Sequence, residues 1–438
     1  MQRFWICAVA AALVAPSGAW ELGNFSVSDA AVNAIYPDIE KSYIDIHQHP
    51  ELSGHEERTS AKLAEGLRAL GFEVTEHVGH TGVVGVMKNG AGPVVLLRTE
   101  LDALPVLEKT GLPYASHVVV HNDQNVEVPV MHACGHDVHM SAWLGTARLL
   151  ATNKGRWSGT LVLIGQPAEE TIGGAAGMLK DGLYTRFPKP AYAVAIHDTS
   201  DLPAGEVGYN TGYTTSNADS VDITIYGKGG HGSAPHTAID PIVIGARIVT
   251  TLQTLVARET TPGDFAVVTV GTFHAGTKNN IIPDEAKLQL TVRSYKTEVR
   301  KKLLAGIERI AKAEAGAANA DKMPLIERVE GADAVYNDPE LAKKVMAAVS
   351  ARLGQSNVKQ TPPITASEDF SEYGRDGVPL FMMWVGAIEP GKWKAAKQSG
   401  ERLPSLHSSV FAPDREPTLK TAILAESTMV LSLLGPGK

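Results

Sequence analysis

In the stretch MHACGHDVHMSA, residues 131–142, Cys134 and His136 stand one residue apart around a glycine. A thiolate and an imidazole suit zinc and its divalent neighbours, and both side chains can reach one ion where Gly135 frees the backbone to bend. By itself the pair is equally compatible with a small core cysteine beside a satisfied imidazole. The acidic pair Glu169 and Glu170 in GQPAEET adds the rest of a metal site, with a carboxylate to spare as general base.

These residues need elements to hold them. The run PVVLLR at 93–98 is of the buried-strand type and leads into Glu100 and Asp102. Polar residues at the C-terminal ends of strands are where open α/β sheets build sites. The pattern repeats: a helix over 139–151, a buried strand over 159–165 ending at GQPAEE, and a third strand over 191–196 running into His197. Three strand ends thus deliver Asp102, Glu169/Glu170 and His197 to one rim. An earlier amphipathic helical pattern begins at Glu40.

Near Gly212 the pattern changes. SVDITIY alternates at 220–226, GKGGHGSAPH forms a loop, and a helix follows over 241–258. Next come a strand FAVVTVGTF, the turn KNNIIPDEA, the alternating strand KLQLTVRSY and a helix over 298–314. Strand–helix–strand–strand–helix is a compact α+β sandwich of ferredoxin-like type inserted into the larger domain. The α/β pattern resumes near Leu325 with a helix over 339–352, the acidic SEDF, a strand PLFMMWVG and the loop LHSSVFAPD. The expected boundaries are 1–19, 20–212, 213–325 and 326–438.

The chain has 438 residues, 44% of them hydrophobic, enough for two or three domains with real cores. Net charge is −8 and no Lys/Arg block occurs, which argues against nucleic acid or an anionic membrane and for small molecules or peptides. Arg3, the apolar residues 4–16 and Ser17-Gly18-Ala19 match a secretory signal more closely than a membrane span, so export without stable membrane association is expected. Cleavage removes Cys7 and leaves Cys134 as the sole thiol, with no intrachain disulfide. Metal ligation would protect that thiol from oxidation.

Two other chemistries fail. No G-x-S-x-G nucleophile elbow occurs, and the lysine of GKGGHGS is not followed by Ser or Thr as a phosphate loop requires.

LRTELDALPV, MHACGHDVHMSAWLG, QPAEE, the His197 segment, GKGGHGSAPH, NIIPDEA, SEDFSEYG and LHSSVF appear in this order across nearly the whole mature chain. Together they resemble the dinuclear-metal aminoacylase and exopeptidase family, in particular the amidohydrolases that include hippurate hydrolases and auxin–amino-acid conjugate hydrolases. The resemblance implies a mixed-sheet, three-layer α/β catalytic domain with the inserted sandwich as lid and dimerisation domain. It implies two divalent ions per subunit, Zn or Mn first and Co or Ni next, held by Cys134, His136, Glu170, His197 and His407. Glu169 matches the general base that takes a proton from metal-activated water and returns it to the leaving amine. Asp102 matches a carboxylate that orients a ligand, and Asp137 is a candidate for the same task.

His231 matches a histidine presented across a homodimer interface to the oxyanion. Asn280, beside Asn279, and Arg293 match residues that hold the substrate's amide oxygen or carboxylate. The implied reaction is cleavage of an N-acyl amino acid or related amide. A carboxypeptidase or dipeptidase with the same chemistry is the alternative, and a catalytically dead metal-binding homologue a third reading.

Two positions depart from the family pattern: Glu100, where Asp is usual, and Ile172, where Gly or a polar residue is common. His47 and His49 are read as structural, His77, His80, His117 and His121 as solvent-facing, and His132 and His139 as neighbours of the metal ligands.

Overall fold

The computed structural model describes residues 27–437. The expected signal segment at 1–19 lies outside them.

The apolar runs do form strands, and their pairing sets the site. Strands β1 (Glu73–Val78), β2 (Gly82–Asn89), β3 (Val94–Glu100) and β4 (Trp157–Gln166) share an eleven-stranded sheet with β5 (Tyr192–Pro203). β4 pairs parallel with β3 (Leu96↔Val162) and β3 parallel with β5 (Leu96↔Ala193). The antiparallel β1–β2 hairpin continues the sheet on the β4 side. Parallel strands buried on both faces read as continuous apolar runs, as in β3, where every residue after Val94 is buried.

Helices cover both faces. On one lie α1 (Asp29–Gln48) and α3 (His136–Thr152), the latter following α2 (Glu57–Ala69) in the chain, over a core that includes Leu63, Leu97, Trp143 and Leu163. The other face buries Leu96, Val162, Phe370 and Tyr373. α1 starts well before Glu40, N-capped by the Ser28 hydroxyl; Pro37 inside it interrupts the sequence pattern without ending the helix.

The inserted domain has four antiparallel strands, β6 (Asn217–Tyr226), β7 (Ala266–Ala275), β8 (Glu285–Ser294) and β9 (Leu325–Ala332), in the order β7-β8-β6-β9. Helices α4 (Pro241–Thr254) and α5 (Thr297–Ala317) pack on one face and bury Ile248, Leu252, Leu303 and Ile307. This is the expected ferredoxin-like order, closed by one more strand. β9 pairs with β6 (Ile223↔Ile326), so the insert runs to Ala332, beyond the boundary set at 325. The difference is physical: LIERVEGA completes a second sheet edge, and only pairing reveals which sheet it joins. At its start α4 has the Asp240 carboxylate accepting from the Ile242 and Val243 N–H groups, with Pro241 in the first turn.

The chain returns to the large domain through α6 (Pro339–Leu353), β10 (Leu380–Ile388) and α7 (Arg415–Leu433). β10 pairs parallel with β5 and places Trp384 level with His197. Among the described residues no helix is long and apolar enough to cross a membrane.

Candidate metal centre

Three imidazoles converge on the Cys134 thiol from two sides. Gly135 holds a left-handed φ of +79°, and a Cβ there would overlap the Asp198 carboxylate, so both the turn and the space require glycine. The turn leads directly into α3. His136 Nδ1 donates to the Asp102 carbonyl at 2.8 Å, which leaves Nε2 as the acceptor nitrogen, buried and without a partner. His197 Nδ1 likewise donates to the Asp198 carbonyl at 2.8 Å, and its Nε2 lies 3.6 Å from Cys134 Sγ.

His407 comes from the far end of the chain. Its N–H donates to the Ala133 carbonyl at 2.8 Å, its φ is +65°, and its Nε2 sits 3.3 Å from Cys134 Sγ. It is also the accessible member, with 56% of its side chain exposed.

The glutamates occupy a tight loop after β4. Ala168 and Ile172 both take left-handed φ values, +51° and +54°. The Ile172 departure therefore falls where glycine would be unstrained, and a β-branched residue there is an outlier of the kind that collects at functional sites. The Glu170 N–H donates to Asp102 Oδ2 at 3.0 Å, and the Ala168 N–H to Glu56 Oε1 at 2.9 Å. Glu170 Oε1 is buried without a hydrogen-bond partner, and Glu169 Oε2 lies 3.8 Å from His136 Nε2.

Donor atoms of Cys134, His136 and His197 lie within 4.8 Å of one another, as do those of Cys134, Glu170 and His407. The two triplets share the thiol, so these residues would suit two divalent ions, and the buried His136 Nε2 and Glu170 Oε1, which lack a hydrogen bond, are atoms that would be available to them. Electrostatics agrees. Burial, then the charges of Glu170, Glu169 and Asp198, push the Cys134 thiol well up, and burial with Glu368 and Glu170 does the same to Glu169. Burial alone would lower His136, but the Asp102 hydrogen bond and surrounding carboxylates outweigh it and raise the group to about 10. A buried site this rich in negative charge calls for cations.

The lid residues stand apart from this cluster. His231 is exposed, with its Nδ1 accepting from the Ser233 N–H (3.1 Å) and 2.8 Å from the Ser233 hydroxyl. It pairs with Ile281, and the Gly232 N–H donates to the Asn280 carbonyl at 2.8 Å, so His231 and Asn280 adjoin. Arg293 lies on β8, half-buried, with Nη1 enclosed and without a hydrogen-bond partner.

Several site residues escaped the sequence reading. Asp198, next to His197, touches the ligand turn. Arg98 is fully buried and bonded to Glu100, Glu368, Asp369 and Gln166. The signal for Arg98 was a charge inside an apolar strand; Asp198 had none beyond adjacency. His139 bridges Glu100 and Asp198, so Glu100 serves that contact and Arg98. His47 is buried, with Nδ1 2.6 Å from Asp137 and Nε2 3.2 Å from Glu108. His77, His80, His117 and His121 are exposed.

A mixed sheet whose parallel central strands and adjoining loops gather one thiol, three imidazoles and two carboxylates, in a chain with an inserted α+β domain, defines a dinuclear metallohydrolase. Residues 96–405 match the model of peptidase family M20/M25/M40, and the chain belongs to that family. It is 38% identical over 391 residues to thermostable carboxypeptidase 1 of Saccharolobus solfataricus, covering 88% of this chain and 93% of that one. It is also 38% identical over 337 residues to a hippurate hydrolase of Campylobacter jejuni, covering 76% and 84%. The fold matches the Bacillus subtilis YXEP protein, a dinuclear metal-binding peptidase of the M20 family, with a TM-score of 0.72 at 28% identity over 92% of this chain and 99% of that one. The protein is a metal-dependent amide hydrolase.

Proposed function

We propose that the substrate is an N-acyl amino acid, or a related amide, whose free carboxylate is held by Arg293. The observation that carries this is the enclosed, unpartnered Arg293 Nη1. Apart from the nearby charge of Asp219, nothing compensates this end of the half-buried guanidinium, and its fork matches a carboxylate. Relatives called hippurate hydrolase and carboxypeptidase share this substrate feature, an amide close to a free carboxylate. A peptide with a free C-terminus presents the same group and is the second reading.

Bound divalent ions, zinc or manganese in the first instance, supply a water of lowered pKa and polarise the amide carbonyl. Cys134, His136, Glu170, His197 and His407 hold them. Glu169 accepts the water's proton on its carboxylate and delivers it to the departing amine. Asp102 orients His136 through its carbonyl and Glu170 through its carboxylate. His231 and Asn280 stabilise the oxyanion of the partner's substrate in a homodimer formed through the lid. The chain works outside the cytoplasm after removal of residues 1–19.

The test is a panel of N-acyl amino acids, their carboxamides and dipeptides, assayed after chelation and re-addition of Zn, Mn, Co or Ni. N-acyl amino acids turn over best, and Arg293→Ala raises KM for them while leaving the carboxamides unchanged. Equal turnover of acids and carboxamides by the wild type overturns the reading.

A further inference from the structure

Behind the ligands runs a second line of buried groups. His139, one turn after His136 on α3, has its ring centroid 4.5 Å from that of His197. The Asp198 N–H donates to His139 Nε2 at 2.9 Å, and Asp198 Oδ1 lies 3.2 Å from the same nitrogen. With Nε2 accepting, Nδ1 donates to Glu100 Oε2 at 2.9 Å. Arg98 Nη1 pins Glu100, and its Nη2 donates to Glu368 and Asp369 at 2.7 and 3.1 Å. All six side chains are buried.

The Asp198 end of this line is special. Its carboxylate lies 3.4 Å from His197 Nδ1 and occupies the space that a side chain on Gly135 would need. It therefore touches the ligand turn Cys134–Gly135–His136 and the ligand His197 together. No hydrogen bond or ion pair links this line to Glu170 or His407, whose backbone N–H groups donate instead to the Asp102 carboxylate and the Ala133 carbonyl.

Resting on the ligand set above, we propose that His139 and Asp198 are positioning residues for one ion of the pair, the one held by Cys134, His136 and His197, and leave the Cys134–Glu170–His407 ion largely untouched. A group that fixes ligand orientation typically contributes about 10- to 100-fold in metal affinity. The two ions should therefore separate when this line is broken.

The two nitrogens of His139 can be mimicked one at a time. Glutamine places its terminal amide near Nε2 and keeps the Asp198 contact; asparagine reaches only the Nδ1 position and keeps Glu100. Apo-protein is reconstituted with cobalt(II), and bound ion is counted during chelator competition while the thiolate-to-cobalt absorption is recorded. We expect His139→Gln to hold both ions and His139→Asn to release one of them about 10- to 100-fold more readily. In a His407→Ala background, where the Cys134–His136–His197 ion is the one retained, His139→Asn weakens its binding by the same factor and His139→Gln does not. Apo-protein melting temperatures report folding, and Asp198→Ala replaces His139→Asn if that variant does not fold, with the same loss expected. Equal affinities in the Gln and Asn variants, or simultaneous loss of both ions, would overturn the proposal. A wild-type chain that binds a single ion overturns the ligand set and the proposal with it.

Discussion

Cys134 Sγ and His407 Nε2 lie 3.3 Å apart although 273 residues separate them in the chain. The sulfur also faces His197 Nε2 at 3.6 Å, so it sits between an inner, buried half of the centre and an outer, accessible one. Replacing Cys134 with serine should weaken both halves, because a hydroxyl is a poor ligand for soft divalent ions. Thiol alkylation of the wild type should proceed in apo-protein, slowly because the thiol is buried and its pKa raised, and should be blocked by metal. Labelling at one rate in both forms would remove Cys134 from the ligand set.

Glu169→Gln should keep fold and metal and lower kcat by roughly 10²–10⁴-fold, since proton transfer alone is removed. Its carboxylate is 3.8 Å from His136 Nε2, beside the ligands but bonded to none of them. Metal content measured with kcat separates the outcomes. More than about a tenth of wild-type turnover would exclude Glu169 as the base.

Ile172→Gly should stabilise the protein. A β-branched residue in the left-handed region costs about 1–2 kcal/mol, against about 0.5–1 kcal/mol for the added freedom of glycine in the unfolded chain. The melting temperature should rise by about 1 °C in a protein of this size. A fall would mean that packing of the Ile172 side chain outweighs its backbone strain.

Stability should decline with rising pH through His47. Burial works to lower its pKa, but hydrogen bonds and charge from Asp137 and Glu108 dominate and lift it to about 9. A raised histidine contributes fully below its unfolded value of about 6.5 and loses that contribution as pH rises through about 9, a difference on the order of 3 kcal/mol. Denaturant unfolding at pH 6 and pH 9.5 measures it. His47→Gln should flatten the dependence, and an unchanged slope in that variant would assign the effect elsewhere.

His231 supplies a test of the dimer. A His231→Ala chain mixed with a Glu169→Gln chain, each inactive alone, should regenerate about one wild-type site per mixed dimer if His231 serves its partner. A mixture as inactive as its parents, once subunit exchange is demonstrated, would place His231 with its own subunit or outside catalysis.

The amino-acid order alone determined the strands, the insert and the chemistry of the ligands. Buried parallel strands are apolar throughout, so β3, β4 and β5 stood out together with the polar residues at their ends. Cys134, His136, Glu169, Glu170 and His197 could be read because each lies at or just beyond a punctuated strand or turn. Other features exist only in three dimensions. LIERVEGA looks the same whether it resumes the large sheet or closes the small one; its register with β6 decides. Asp198 is an ordinary carboxylate until the fold sets it against Gly135 and His139. Arg98, Glu368 and Asp369 become one buried network only when residues 270 or more positions apart meet. Side-chain type and local period are properties of neighbours in the chain, whereas charge compensation in the core depends on neighbours in space, which the packing of the whole sheet selects.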